Sequence, residues 1–301
     1  MILASYTWAI FTVLGAGGQV VRNALQRSLT QTLGTVGATH VRFLFGMPFA
    51  YLFLAGILAV TGDKLPALSG ASIGYTFLGA LAQVIATAMM LAAMKEKSFV
   101  VTTALIKTEP VHAALFGLAF LGDPLTFGLV AAMALCMTGV YFVSIPQNLK
   151  INLLGERAVW TGLIAGAAFG ASAVGYRAGI LALNHPNFVT AASVTLCVGL
   201  TMQAGLLTAW LGATDRPVLA AIFRAWRPSL AAGFTGAFAS QFWFLAFAIA
   251  SVAHDRTLAL IEILFAQIIS RRMYAQNASR REMAGVALIA VGVVVLLNLQ
   301  R

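Results

Sequence analysis

The sequence predicts an all-α, polytopic membrane protein of ten transmembrane helices built as two inverted five-helix repeats. Three observations lead there: composition, the spacing of the apolar runs, and a self-match between the halves. Of the 301 residues, 60% are hydrophobic and only 9% charged, and the mean hydropathy is +0.90. A water-soluble domain carries about 25% charged residues, so this chain lacks the polar surface that water demands. The short alternating strands of a membrane β-barrel are also absent from the pattern.

The apolar runs, separated by charged, Gly or Pro breaks, cover 3–21, 35–60, 71–94, 99–121, 126–144, 158–183, 188–211, 229–252, 257–274 and 282–299. A helix of about 20 residues crosses the roughly 30 Å hydrocarbon layer. The first run has no basic stretch before it and reads as a retained span, not a cleaved leader. Breaks such as Gly62-Asp63-Lys64-Leu65-Pro66, Lys95-Glu96-Lys97-Ser98 and Gly122-Asp123-Pro124 are short, which makes successive helices antiparallel neighbours. The stretch 213–228, with Phe223, Arg224, Trp226 and Arg227, reads as an interfacial helix. Residues 147–157 fall near the midpoint and read as a linker between a first repeat, 1–146, and a second, 158–301.

The net charge of +10 raises nucleic acid as a partner. The basic residues, however, lie mostly at the ends of apolar runs, where they act as topology and headgroup signals. The expected partner is the lipid bilayer, with no nucleic acid. Leaving out Arg42 and Lys107 inside runs, 13 basic residues fall in odd-numbered loops and 4 on the other side, Arg22 among the first and Arg177 and Arg256 among the second. That count places the odd loops in the cytoplasm and both termini outside. Cys136 and Cys197 lie within apolar runs and read as small packing residues.

A constant offset of 153 residues aligns the halves: Val36 with Val189, Val41 with Val194, Gly46 with Gly199, Ser98 with Ser251, Glu109 with Glu262 and Gly139 with Gly292. Each half holds five runs, an odd number, so the second half inserts upside down relative to the first. This is the inverted-repeat logic of secondary transporters, whose sites lie near the midplane.

The half-repeat has an Ala-rich third run, Ala92-Ala93-Met94, a short loop ending at Ser98, and Glu109-Pro110 in the fourth run. It then has Leu121-Gly122-Asp123 and Gly139-Val140. It resembles the EamA-type unit of the drug/metabolite transporter superfamily. The second copy runs from Ala246 through Ser251, Glu262 and Ser279 to Gly292-Val293, so two such units cover essentially the whole chain. It departs from the first in having Ile263 in place of Pro110, and Arg271-Arg272 late in its fourth run. The resemblance implies an inner-membrane carrier of small metabolites, often an exporter.

Glu109 is the sharpest site candidate. An ionisable group in mid-span costs about 2.5–3.5 kcal/mol on insertion scales and faces a bundle interior or a water-filled cavity. It serves as a substrate-amine or proton site, or as a structural carboxylate neutralised by a neighbour. Lys107 is two residues away, about 200° round a helix, so each needs a partner on another helix. His112 lies about 60° from Glu109 and shares its face. Pro110 removes one helical hydrogen bond and reads as a kink. Glu262 is the repeat partner, with Arg256 and Arg271 the nearest cations along its own run. Arg42 reads as a snorkelling anchor or ion-pair member, or as a group for a substrate anion; Arg177 reads as an interfacial anchor. Gln83 and Gln241 are midplane amides that bridge helices or donate to substrate. Trp243, near Gln241, is a cavity candidate.

There is no Gly-Lys-Ser/Thr phosphate loop, and no two His or Cys stand at metal-ligand spacing. The sequence therefore predicts no enzyme, no cofactor and no metal. The expected function is secondary active transport, outward in the sense of the resemblance, of a small polar or amphipathic metabolite such as an amino acid. Proton coupling would run through Glu109. The expected location is the cell inner membrane, as a monomer or homodimer. A non-transporting membrane subunit or chaperone and an intramembrane hydrolase are the alternatives.

Overall fold

The computed structural model describes residues 6–93, 104–144, 157–265 and 279–299. The 95–98 break, Arg271-Arg272 and nearly all of the 147–157 linker lie outside them. Among the described residues every regular element is helical: α1 (Thr7–Leu44), α2 (Gly46–Thr61), α3 (Gly70–Ala93), α4 (Glu109–Leu121), α5 (Phe127–Ser144), α6 (Arg157–Ala182), α7 (Phe188–Thr214), the short α8 (Arg216–Arg224), α9 (Trp226–Ile249), α10 (Val252–Leu258) with a 3₁₀ turn at Ala259–Ile261, and α11 (Arg280–Asn298). Eight stretches of these residues are long and apolar enough to cross a membrane, which makes the chain a multi-pass membrane protein.

The first of those stretches, Thr7–Thr61, holds 55 residues, about 80 Å of helix at 1.5 Å per residue. It breaks inside α1 at Gly34 (φ 68°, ψ −179°), a backbone state that side chains with a Cβ avoid, and again at Phe45 between α1 and α2. The expected loop after residue 21 is therefore helix down to Leu33. The polar side chains of this run find partners within the fold. Ser28, Thr30 and Thr32 bond back to the carbonyls of Leu25, Arg27 and Leu29, and Gln26 Nε2 donates to Ala38 O at 3.1 Å. Arg22, expected in a loop, is buried with 2% of its surface exposed. The stretch around 213–228 forms the short helix α8, whose Ile222 is buried while Phe223 is exposed.

In a bilayer, helices associate by close packing more than by exclusion from water, and small residues mark the contacts. α3 packs along α6, α9 along α1, α5 along α11, and α2 along α7. A Cβ on Gly139 of α5 would lie 2.5 Å from Gly285 O of α11. In the same pair Cys136 Sγ donates to Ile289 O at 3.7 Å, across the 153-residue separation of the sequence repeat. Arg177 of α6 is no interfacial anchor. Its Nη1 donates to Phe247 O (2.5 Å) and Ala250 O (2.6 Å), capping α9, and its Nε lies 3.6 Å from Asp123. The carbonyls at that helix end have no intrahelical donor, which is why a guanidinium settles there.

The α2–α3 connection is tied to the start of α7. Asp63 Oδ2 accepts from Thr190 Oγ1 (2.5 Å) and Asn187 Nδ2 (2.7 Å), and Asn187 also caps α7 through Val189 N–H. The Thr190 bond, with those of Asn187 and Thr61, holds the Asp63 carboxyl below its usual range.

Two outcomes follow from this packing. Gly139→Leu, which drives a side chain into the α11 backbone, is expected to destabilise the protein by about 1–3 kcal/mol or more. Gly205→Leu, where a Cβ meets nothing within 4 Å, is expected to be neutral; thermal unfolding in detergent compares them. A depressed carboxyl stabilises the fold while ionised and loses that contribution as pH falls through its folded-state value. The difference in melting temperature between wild type and Asp63→Asn should thus be full above about pH 3.8, the ordinary carboxyl value, and close below it.

Candidate functional site

Two helices are interrupted at matching places. Residues 104–106 are helical, Lys107 and Thr108 form a turn (Lys107 N to Ala104 O, 3.2 Å; Thr108 N to Leu105 O, 3.0 Å), and α4 begins at Glu109. The expected single helix over 99–121 is thus broken just before the glutamate. Pro110 sits in the first turn of α4, where its missing N–H has no helical acceptor to lose, so it starts a helix and kinks none. In the other half the 3₁₀ turn Ala259–Ile261 runs directly into Glu262, and helix resumes there. The glycines of α6 clear space for the first break. A Cβ on Gly166 would lie 3.0 Å from Ile106 O and from Thr108 Oγ1, and one on Gly170 would lie 2.9 Å from Ala113 N.

The interruptions bring the charges together, and each glutamate pairs with a cation from the other half. Lys107 Nζ pairs with Glu262, whose second oxygen accepts from Gln19 Nε2 at 2.8 Å. Arg256 Nε lies 3.1 Å from Glu109 Oε1 and 3.5 Å from Asp255 Oδ2. Asp255, fully buried, also accepts from Thr12 Oγ1 at 2.5 Å. The Arg256 guanidinium stacks 4.3 Å from the Trp243 ring centroid and 4.8 Å from that of Phe247, a cation–π arrangement worth most where water is excluded. Gly15 lets α1 close on the indole: a Cβ there would lie 3.0 Å from it.

Beside these pairs lies a central cavity of about 40 Å³, with Gln19, Arg22, Arg42, Lys107, Glu109 and Arg256 supplying its polar wall. Gln83 and Trp243 also line it. Gln83 Oε1 accepts from Tyr176 OH (3.2 Å) and Gln203 Nε2 (3.0 Å). Arg42 does not snorkel. It is buried at 3% exposure, its Nη1 donates to Thr87 Oγ1 at 3.3 Å, and it faces the cavity from the interior. Three expected site residues, His112, Gln241 and Glu262, lie off the cavity wall. His112 Nδ1 sits 3.1 Å from Thr108 O, one turn back on its own helix, a carbonyl that also accepts from Val111 N. Gln241 Nε2 donates to Ser193 Oγ at 2.8 Å and bridges α9 to α7. Glu262 reaches the site through Lys107 and Gln19, where Arg256 or Arg271 had been the expected partner.

Sequence reasoning missed Arg22, Arg256, Gln19 and Asp255. The signal for α1 was present: Thr12, Gln19, Arg22 and Gln26 recur at helical spacing on one face. That stripe extends the first helix past residue 21 and points its polar residues inward.

Removing one partner of a buried pair strands the other charge and costs about 3–5 kcal/mol. Arg256→Met should lose stability on that scale, because Glu109 and Asp255 both lose their cation. Adding Glu109→Gln to it should recover part of the loss in a double-mutant cycle of thermal or denaturant unfolding. Strictly additive losses would show that the two side chains are not coupled.

A crystal structure superimposes with a TM-score of 0.68 at 15% identity, over 96% of this chain and 98% of that one, which shows a shared fold. No curated protein matches the sequence. The model of the EamA-like transporter family matches residues 1–145, the half that carries Arg22, Arg42, Lys107 and Glu109. Members of that family are transporters, not enzymes. The first half of the chain is therefore a domain of the EamA-like transporter family, within the drug/metabolite transporter superfamily.

Proposed function

We propose that this protein is a secondary active transporter of the cell inner membrane that exports a small polar or amphipathic metabolite, an amino acid being the first class to test. It works by alternating access around the central cavity. The observation that carries this reading is the crossed pairing of the two repeat glutamates, Glu109 with Arg256 and Glu262 with Lys107, beside helix breaks at matching positions. Broken helices at a repeat interface are how carriers build midplane sites.

Ten spans in two inverted repeats fit the packing. Thr7–Thr61 is long enough to cross twice, and α10 with its 3₁₀ turn enters the 257–274 run. An exchange of halves carries the α3–α6 contact into α9–α1 and leaves α5–α11 and α2–α7 as self-matched pairs, in agreement with the pairs observed. The Cys136–Ile289 contact, at the repeat offset, is what a pseudo-twofold axis through that helix pair requires.

A cavity of about 40 Å³ holds a few waters at most, by the roughly 10–15 Å³ that one needs. Transport therefore needs the halves to part, and parting them separates both ion pairs in a medium of low dielectric. Protonation of Glu109 removes one partner's charge before separation, which couples a proton to the movement.

Uptake of radiolabelled amino acids into proteoliposomes under an imposed pH gradient tests the assignment. Wild type should accumulate a substrate in response to the gradient, and Glu109→Gln should lose that response. A Glu109→Gln protein with wild-type pH dependence would remove the coupling role. Failure of the wild type to move any solute would favour the non-transporting subunit.

A further inference from the structure

The charges at the cavity do not balance. Among the described residues four cations line it, Arg22, Arg42, Lys107 and Arg256, against one lining carboxylate, Glu109, while Glu262 and Asp255 reach Lys107 and Arg256 from outside the wall. All three carboxylates are engaged: Arg256 takes Glu109 and Asp255, and Lys107 takes Glu262. Among the described residues no carboxylate lies within 4.0 Å of Arg22 or Arg42, although Glu109 is near enough to attract Arg22. Arg22 donates to Asn23 Oδ1 (2.8 Å from Nη2), and Arg42 donates to Thr87 Oγ1 (3.3 Å) and lies over the Phe43 ring, 5.1 Å from its centroid. Both are more than nine-tenths buried, and taking an ion out of water costs several kcal/mol.

The unmet hydrogen-bonding groups at the cavity wall have a common chemistry. Arg22 Nη1, Arg42 Nε and Trp243 Nε1 are buried N–H donors without an acceptor, and the Ser172 hydroxyl is likewise unpartnered. Of the oxygens of the three carboxylates named above, only Asp255 Oδ2 is buried without a hydrogen bond, and it lies 3.5 Å from Arg256 Nε. The two arginine stems also run side by side over Gly236 of α9, where a Cβ would lie 3.3 Å from Arg42 Cγ and 3.6 Å from Arg22 Cδ. A bare glycine at that point lets both guanidinium groups reach the same wall.

We propose that Arg22 and Arg42 are the docking point for an oxyanion group of the substrate, a carboxylate or a phosphate, so that the transported metabolite carries negative charge at one end. The substrate half of this statement rests on the transporter reading; the binding half does not. Guanidinium forks match the paired oxygens of both groups and hold them bidentately. The bound oxyanion supplies the charge that the wall lacks and the acceptors that its N–H groups lack.

The test uses the full chain in detergent and follows thermal unfolding with inorganic phosphate, succinate and alanine, against the uncharged amides succinamide and alaninamide. A ligand that binds the folded form raises its apparent stability. At least one oxyanion should give a saturable rise that its amide does not. Arg22→Gln and Arg42→Gln should each weaken that response about tenfold or more, while leaving the ligand-free protein as stable as wild type or more so, since each removes an unpaired buried charge. Arg42→Lys keeps the charge, loses the fork, and should fall between. A response to phosphate alone assigns a phosphate ester, and a response to the carboxylates alone assigns a carboxylic or amino acid. The proposal is overturned if no oxyanion shifts the transition, if the amides shift it equally, or if the Gln variants melt lower and keep the full response. An Arg-dependent shift in a protein that moves no solute in proteoliposomes would leave the docking point standing and remove the transporter reading.

Discussion

The carboxylates of Glu109 and Glu262 can stay ionised among membrane helices only because each meets a cation from the opposite half of the chain. Neither glutamate has such a partner on its own segment. Lys107 is too close in sequence to turn toward Glu109, and Arg256 points at Glu109 instead of Glu262. The need to match charge across the interface sets much of the local architecture. It explains why the helix breaks at Lys107-Thr108, since the turn sends Lys107 one way and Glu109 the other. It explains the glycines of α6 and α1, which let neighbouring helices close around the pairs. Stacking of Arg256 between Trp243 and Phe247 then fixes the guanidinium in place.

The two pairs are alike in position and unlike in strength of attachment. Glu109 and Glu262 align in the repeat, but Lys107 aligns with Leu260 and Arg256 with Thr103. On one side a planar guanidinium is shared between Glu109 and Asp255, and two aromatic rings cover it. On the other a single flexible ammonium meets Glu262, with an amide from Gln19. A guanidinium held by two carboxylates and two rings loses more on separation than an ammonium held by one carboxylate. The pseudo-symmetry of the helices therefore does not extend to the energetics, and the two faces of the interface are not interchangeable.

How much of this was legible depended on whether the signal was local. Membrane class, helical architecture and the family of the first half could be read from composition, run lengths and the Glu109-Pro110 and Leu121-Gly122-Asp123 neighbourhoods. Glu109 and Lys107 stood out because charge inside an apolar run is conspicuous. Arg22 and Arg256 did not, because both sit at the margins of apolar runs, where a cation normally marks the water interface. A run-length reading cannot separate a helix end from a polar stripe that continues inward. For α1 that stripe, Thr12-Gln19-Arg22-Gln26, is resolved by its helical spacing and by hydroxyls that bond back to their own turn. Gln241 was illegible for another reason, since its partner Ser193 is set by packing between distant helices, whereas His112 meets Thr108 one turn back on its own segment.

The helix breaks and the charges occupy the same few residues, and this ties motion to binding. The Lys107-Thr108 turn and the Ala259–Ile261 turn are short of regular helical hydrogen bonds, so tilting there disturbs fewer of them than tilting within α4 or α9 would. Each break is pinned by the charged residue it presents, Lys107 to Glu262 and Glu109 to Arg256. Loosening a pair thus frees the adjacent break, while Arg22 and Arg42, on either side of the Gly34 break in α1, are tied to neither pair. In the transporter reading, the movable elements carry the paired charges and the steadier α1–α9 layer carries the unpaired ones. A ligand that satisfies the second set can then remain held while the first set lets go.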